Sequence, residues 1–341
     1  MIHKLDKNEN KKIRKENPRN IKFSHFIAKD SYSKGVIFDN TFSIFKSIND
    51  ILYLIYINEN KSIVSIDIVN NKIINEIKRN YNIDCLRHYL DSINKRDLII
   101  IISSLRNDIQ ILDIKNFECL LFLERVNKSG YIDSSFLLFH DNQNYIITSN
   151  VNYKKNPDPI KIYDFNGNKI KEINKSNENT YFIDIYYEQK SSKIYILISN
   201  DNFSKSYDYK ENKIYKIYYE FENNDRIIPH TSLILFRDNN KLEIIESSNN
   251  GYIRVWNFHS CELLKKVKVG KESYGICLWD KDCLFVGGYK LIYLIDLKNL
   301  EKIKTLEGHE QEINSIKKIF HPKFGECLIS QGIKNIILWS N

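Results

Sequence analysis

The chain has 341 residues, of which 42% are hydrophobic and 28% charged, a globular composition with ample length to bury a core. A single Met and a strong bias towards Ile, Tyr and Phe argue against a helical bundle and for strands. The net charge is +8, but residues 1–34 hold ten basic against four acidic side chains, so the remainder carries only +2. Binding through many phosphates needs basic residues clustered on the folded body, and the pattern disfavours that class.

Residues 1–20 therefore read as a basic, solvated tail ahead of one folded domain over residues 21–341. The six cysteines, at 85, 119, 261, 277, 283 and 327, form no C-x-x-C pair, and no His stands at zinc-finger spacing. Free thiols, no metal and no cofactor are expected, in a reducing compartment. The first twenty residues are too polar for a signal peptide, and no apolar run approaches the ~20 residues that span a bilayer. The expectation is a soluble, cytoplasmic protein.

In chain order, one phrase recurs: a β-rich run, then Asp or a substitute, then a polar turn. It ends at Asp67, Asp113, Asp164, Asp208, Asn257, Asp296 and Ser340, with spacings of 46, 51, 44, 49, 39 and 44 residues. A four-stranded propeller blade takes about 40–45 residues, whereas common solenoid repeats are shorter. Apolar positions alternate with period two, as in Ile253 and Val255, which excludes helical repeats. The fifth copy divides into candidate strands 228–236, 241–248, 252–257 and 261–267, separated by Asn- and Gly-rich turns. The predicted fold is all-β: a single seven-bladed β-propeller of four-stranded antiparallel blades.

The seventh copy stops after its third strand, at Trp339. A missing outer strand would leave an exposed edge. Residues Ile21 to Ile27 are apolar on one face and are predicted to close that last blade from the N-terminal side. The alternative is a helix bounded by Pro18, or a segment without regular structure.

Residues 306–339 carry Gly308-His309, then Phe320-His321-Pro322, Leu328-Ile329-Ser330 and Ile336-Ile337-Leu338-Trp339. Residues 247–257 read Ser-Ser-Asn-Asn-Gly-Tyr-Ile-Arg-Val-Trp-Asn. With these motifs the chain resembles the WD-repeat (WD40) β-propeller family. The resemblance implies a hydrogen-bonded structural set of His309, Ser330 and Trp339 in the last blade, with Asn335 where the family has Asp. It also implies a looser counterpart from Ser248 and Trp256 in the fifth. The first four copies match by strand rhythm and terminal Asp alone.

No Gly-x-Ser-x-Gly, phosphate-binding glycine loop or His-Glu-x-x-His occurs, so catalysis is not expected. The resemblance implies a non-catalytic scaffold for other proteins, monomeric by itself and without a small-molecule substrate. Its candidate partner contacts are Glu312, Asn314, Glu272 and Tyr274. The alternative is nucleic-acid or anionic-membrane binding through the basic N-terminal arm.

Overall fold

The computed structural model describes residues 17–31, 42–127, 132, 134–152, 157–173, 178–188, 191–200, 203–220, 229–237 (backbone course only) and 241–341. The predicted basic tail at residues 1–16 lies outside them. The described residues are all-β apart from a 3-10 turn at Pro18–Asn20, and none of their helices is long and apolar enough to cross a membrane.

Strand β1 (Phe23–Ala28) is followed by five four-stranded antiparallel sheets, each with its strands in sequence order. The first set is β2 (Phe42–Lys46), β3 (Leu52–Ile57), β4 (Ser62–Asp67) and β5 (Lys72–Lys78). The second is β6 (Cys85–Asp91), β7 (Arg96–Ser103), β8 (Asp108–Asp113) and β9 (Cys119–Leu123). The third is β10 (Ser135–His140), β11 (Gln143–Thr148), β12 (Ile160–Asp164) and β13 (Lys169–Ile173). The fourth is β14 (Phe182–Glu188), β15 (Lys193–Ser199), β16 (Ser204–Asp208) and β17 (Lys213–Tyr218). The fifth is β18 (Pro229–Arg237), β19 (Lys241–Ser248), β20 (Tyr252–Asn257) and β21 (Leu263–Lys268).

The sixth and seventh sets are β22 (Ile276–Leu278), β23 (Cys283–Gly287), β24 (Tyr289–Asp296), β25 (Glu301–His321), β26 (Gly325–Gly332) and β27 (Ile336–Ser340). Instead of two separate sheets they form, together with β1, one of seven strands, because β25 runs unbroken for 21 residues. Its first part pairs with β24 and its second with β26. No Pro interrupts it, and Gly308 lies so close under Trp339 that a Cβ there would stand 2.8 Å from the indole. β1 pairs antiparallel with β27, Phe23 opposite Ser340 and Phe26 opposite Ile337, and gives the seventh set its fourth strand.

The recurrent Asp marks a turn. Asp67, Asp113, Asp164, Asp208, Asn257 and Asp296 each accept, on Oδ1, a backbone N–H from two to four residues ahead. This Asx geometry reverses the chain into the fourth strand. In all six sets the pairing between third and fourth strands slips by one residue just before that anchor. The shared bulge adds twist and re-aims the outer strand.

Both faces of every set carry apolar side chains, which is why β7 reads Leu98-Ile99-Ile100-Ile101-Ile102 without alternation. Ile99 and Ile101 pack in a cluster with Ile55 of the first set, whereas Ile100 joins Ile146 of the third. Similar clusters lie between sets three and four, four and five, five and six, and six and seven. A further cluster joins Ile329 and Leu338 of the last set to Leu54 and Val64 of the first. The first strands also touch in succession, β2 with β6, then β10, β14, β18, β22 and β25, and β25 touches β2.

Removing residues 1–28 exposes the edge of β27 and deletes Ile21, which is fully buried. The unfolding free energy should fall by at least about 2 kcal/mol. Hydrogen exchange of the outward amides of Ile336–Ser340 should accelerate; unchanged protection there would show that β1 does not cover β27.

Candidate functional site

The second to fifth sets are each tied to the connector that leads into them by a side chain three residues before the anchor. In the second set Gln110 donates to Tyr81 Oη at 2.7 Å. In the third, Lys161 is only 7% exposed and its Nζ donates to Val126 O at 2.7 Å and to Asp158 at 2.7 Å. In the fourth, Lys205, 2% exposed, pairs with Glu178. In the fifth, Arg254, 1% exposed, donates from Nε to Glu220 at 2.7 Å and from Nη1 to Ser248 Oγ at 2.7 Å. A buried cation is stable only when paired and hydrogen-bonded, so each holds the connector group that it binds: the Val126 carbonyl for Lys161, Glu178 for Lys205 and Glu220 for Arg254.

The seventh set uses different chemistry for the same task. His309, on the connector part of β25, lies 2.6 Å from Ser330 Oγ through Nε2 and contacts Asn335 Oδ1 through Nδ1. Trp339 Nε1 donates to the same Ser330 Oγ at 2.8 Å. Burial holds the imidazole pKa down at about 4, with the Asn335 hydrogen bond opposing. A neutral ring facing an amide oxygen must carry its proton on Nδ1, so Nε2 accepts the Ser330 hydroxyl proton. The structure thus brings His309, Ser330 and Trp339 together, with Asn335 as the fourth member.

The fifth set is arranged otherwise. Trp339 lies opposite Leu328, two residues before Ser330; Trp256 lies opposite Ile244, two before Glu246. Glu246, not Ser248, occupies the register position of Ser330. Ser248 instead accepts from Arg254 and donates to Asn250 in the turn. The Glu246 carboxyl is buried, accepts from Ser204 Oγ at 2.6 Å, and is raised by desolvation against the pull of Ser204 and Arg254. Among the described residues Trp256 Nε1 makes no hydrogen bond of ordinary geometry, although it is close enough to Glu246 to favour the carboxylate.

Sequence reasoning missed the cationic ties. Their signal was present as Ile160-Lys161-Ile162, Ser204-Lys205-Ser206 and Ile253-Arg254-Val255, each a base inside a short strand run at a constant offset from the anchor.

The four candidate contact residues fall where the sixth and seventh sets meet. Glu272 and Tyr274 stand on the connector before β22, and Glu312 and Asn314 on β25. Tyr274 is buried and donates its hydroxyl to Glu272. Its phenol is raised by burial, then by that bond and by Glu312. Burial raises the Glu312 carboxyl, and Glu272 adds to the effect. Among the described residues neither glutamate forms an ion pair. Tyr289, 54% exposed, lies directly opposite Glu312 across the β24–β25 ladder. Gly275 lets the Asn314 backbone approach: a Cβ there would stand 2.8 Å from Asn314 O. Among the described residues no cluster of His, Cys, Asp and Glu is placed to hold a metal ion.

No family model matches the chain, and no curated protein matches it.

The folded-state pKa of His309 lies below the ordinary 6.5, so the unfolded chain binds the extra proton first. The stability due to the neutral ring is complete above pH 6.5 and is lost as pH falls towards 4. Relative to His309→Gln, the wild type should lose about 3 kcal/mol across that window in denaturant titrations. A difference independent of pH would exclude a neutral buried imidazole. Arg254→Met leaves Glu220 with Lys266 alone and removes the cation beside buried Glu246, and should cost about 3 kcal/mol. An unchanged urea midpoint would show that the tie carries no energy.

Proposed function

We propose that the chain closes as a seven-bladed β-propeller of the WD-repeat kind and works as a non-catalytic, intracellular scaffold for other proteins. The shared apolar cluster of the last and first sets and the succession of first-strand contacts support the closed ring. The His309–Ser330–Trp339 network supports the family resemblance. A stiff framework that presents its connectors on one rim is suited to recognition.

The observation that carries the scaffold reading is the pair Glu272 and Glu312. Two carboxylates held near one another, one with its charge already disfavoured, are stabilised by an incoming cation. Tyr289 beside them offers a large, rigid contact surface. The partner is therefore a protein segment that presents Lys or Arg, and Tyr274 positions Glu272 to receive it.

The test is affinity purification from the native cell with quantitative mass spectrometry, comparing wild type with Glu272→Lys/Glu312→Lys. A stoichiometric partner should be retained by the wild type and reduced at least tenfold by the charge reversal. Equal recovery by both proteins would overturn the assignment of the rim, and recovery of no stoichiometric partner would overturn the scaffold role.

A further inference from the structure

We propose an anion-binding site on the axis of the molecule, built from Arg87 and Lys317. The strand registers place it. Arg87 lies opposite Ile100, which lies opposite Ile111, two residues before the anchor Asp113. Asp184 reaches Ser206, two before Asp208, in the same way, and Lys317 reaches Leu338, two before Ser340. The matching first-strand positions in the other sets are Ser43, Phe136, Leu233 and Cys277. Seven structurally equivalent residues thus form one layer, with two cations and one carboxylate.

Members of this layer on non-neighbouring sets feel one another. Asp184 of the fourth set responds to Arg87 of the second and Lys317 of the seventh. Lys317 responds to Cys277, Arg87 and Asp184. The strand contacts agree: β2 touches both β6 and β25, so in this layer Ser43 alone stands between Arg87 and Lys317. Water reaches Lys317, which is exposed, yet surrounding protein desolvates its ammonium and lowers its pKa. In the proposed ring such a group lines the space between the first strands.

Among the described residues neither Arg87 nor Lys317 forms an ion pair. The Arg87 guanidinium lies over Phe136 and Phe182, 5.4 and 5.6 Å from their ring centres, which fixes its plane. Asp184 Oδ1 accepts the Ile185 N–H at 2.8 Å. Arg87 disfavours the charge on Lys317, beyond the larger effect of desolvation. A carboxylate or phosphate between them relieves that repulsion, and guanidinium plus ammonium supply a fork and a point charge for its oxygens.

The site rests on the ring reading but not on the scaffold role. The test measures thermal midpoints and titration calorimetry with sodium phosphate against sodium chloride at equal ionic strength, and with a Glu-rich peptide. The wild type should be stabilised specifically by phosphate, by the peptide, or by both. Phosphate alone marks a free anion as ligand, and tighter peptide binding marks an acidic side chain of a partner. Lys317→Met should weaken binding at least tenfold and, without anion, should melt no lower than wild type, because a repelled cation has gone. Lys317→Arg should retain binding. No effect of either ligand beyond chloride, or equal binding by Lys317→Met, would overturn the site. Small-angle scattering separates the premises: an open array of sheets refutes the ring, whereas a closed ring without anion dependence refutes this site alone.

Discussion

The packing of each sheet against a neighbour on both of its faces governs the rest of this structure. A sheet that buried one face would leave the other to water, and strands such as β7 are apolar on both. No set is therefore stable as a separate unit, and the sequence of sets has no natural end until the last meets the first. The cluster that joins Leu338 to Leu54 and the pairing of β1 with β27 supply that meeting. They also remove the exposed sheet edge that a three-stranded final set would present.

Apolar packing positions the sheets but does not fix the connectors between them. Polar ties do that, with two kinds of chemistry. Where the Trp-centred network is present, a neutral imidazole and a serine hydroxyl satisfy a buried indole. Where it is missing, Lys161, Lys205 and Arg254 reach from the third strand to an acid or a carbonyl on the incoming connector. The first and sixth sets have neither: Val64 takes the equivalent position in the first, and in the sixth Tyr293 packs against Gly270, whose Cβ would stand 3.3 Å from its hydroxyl. A small residue there leaves the connector free to carry Glu272 and Tyr274 at the rim.

The two proposed surfaces have opposite charge for separate structural reasons. At the rim, Glu272 and Glu312 come together because a connector and β25 converge over glycines. On the axis, Arg87 and Lys317 come together because equivalent register positions of distant sets face one space. A partner with a basic segment and an acidic side chain would engage both, and neither surface needs the other to form.

Much of the architecture was legible in the residues alone. The Asp anchors set the turns, since a carboxylate that accepts local N–H groups acts within a few residues. The four-strand rhythm and the strand at residues 23–28 follow from local patterning. The Gly308-His309 and Trp339 motifs likewise pointed to partners that lie within one sheet. Other features were settled only by the tertiary structure. The continuous β25, the exchange of Ser248 for Glu246 beside Trp256, and the equivalent positions of Arg87, Asp184 and Lys317 depend on register and on contacts between distant sets. Periodicity tells which residues share a face, but a one-residue bulge decides which of them meet, and no local pattern carries the distance between far-apart sets.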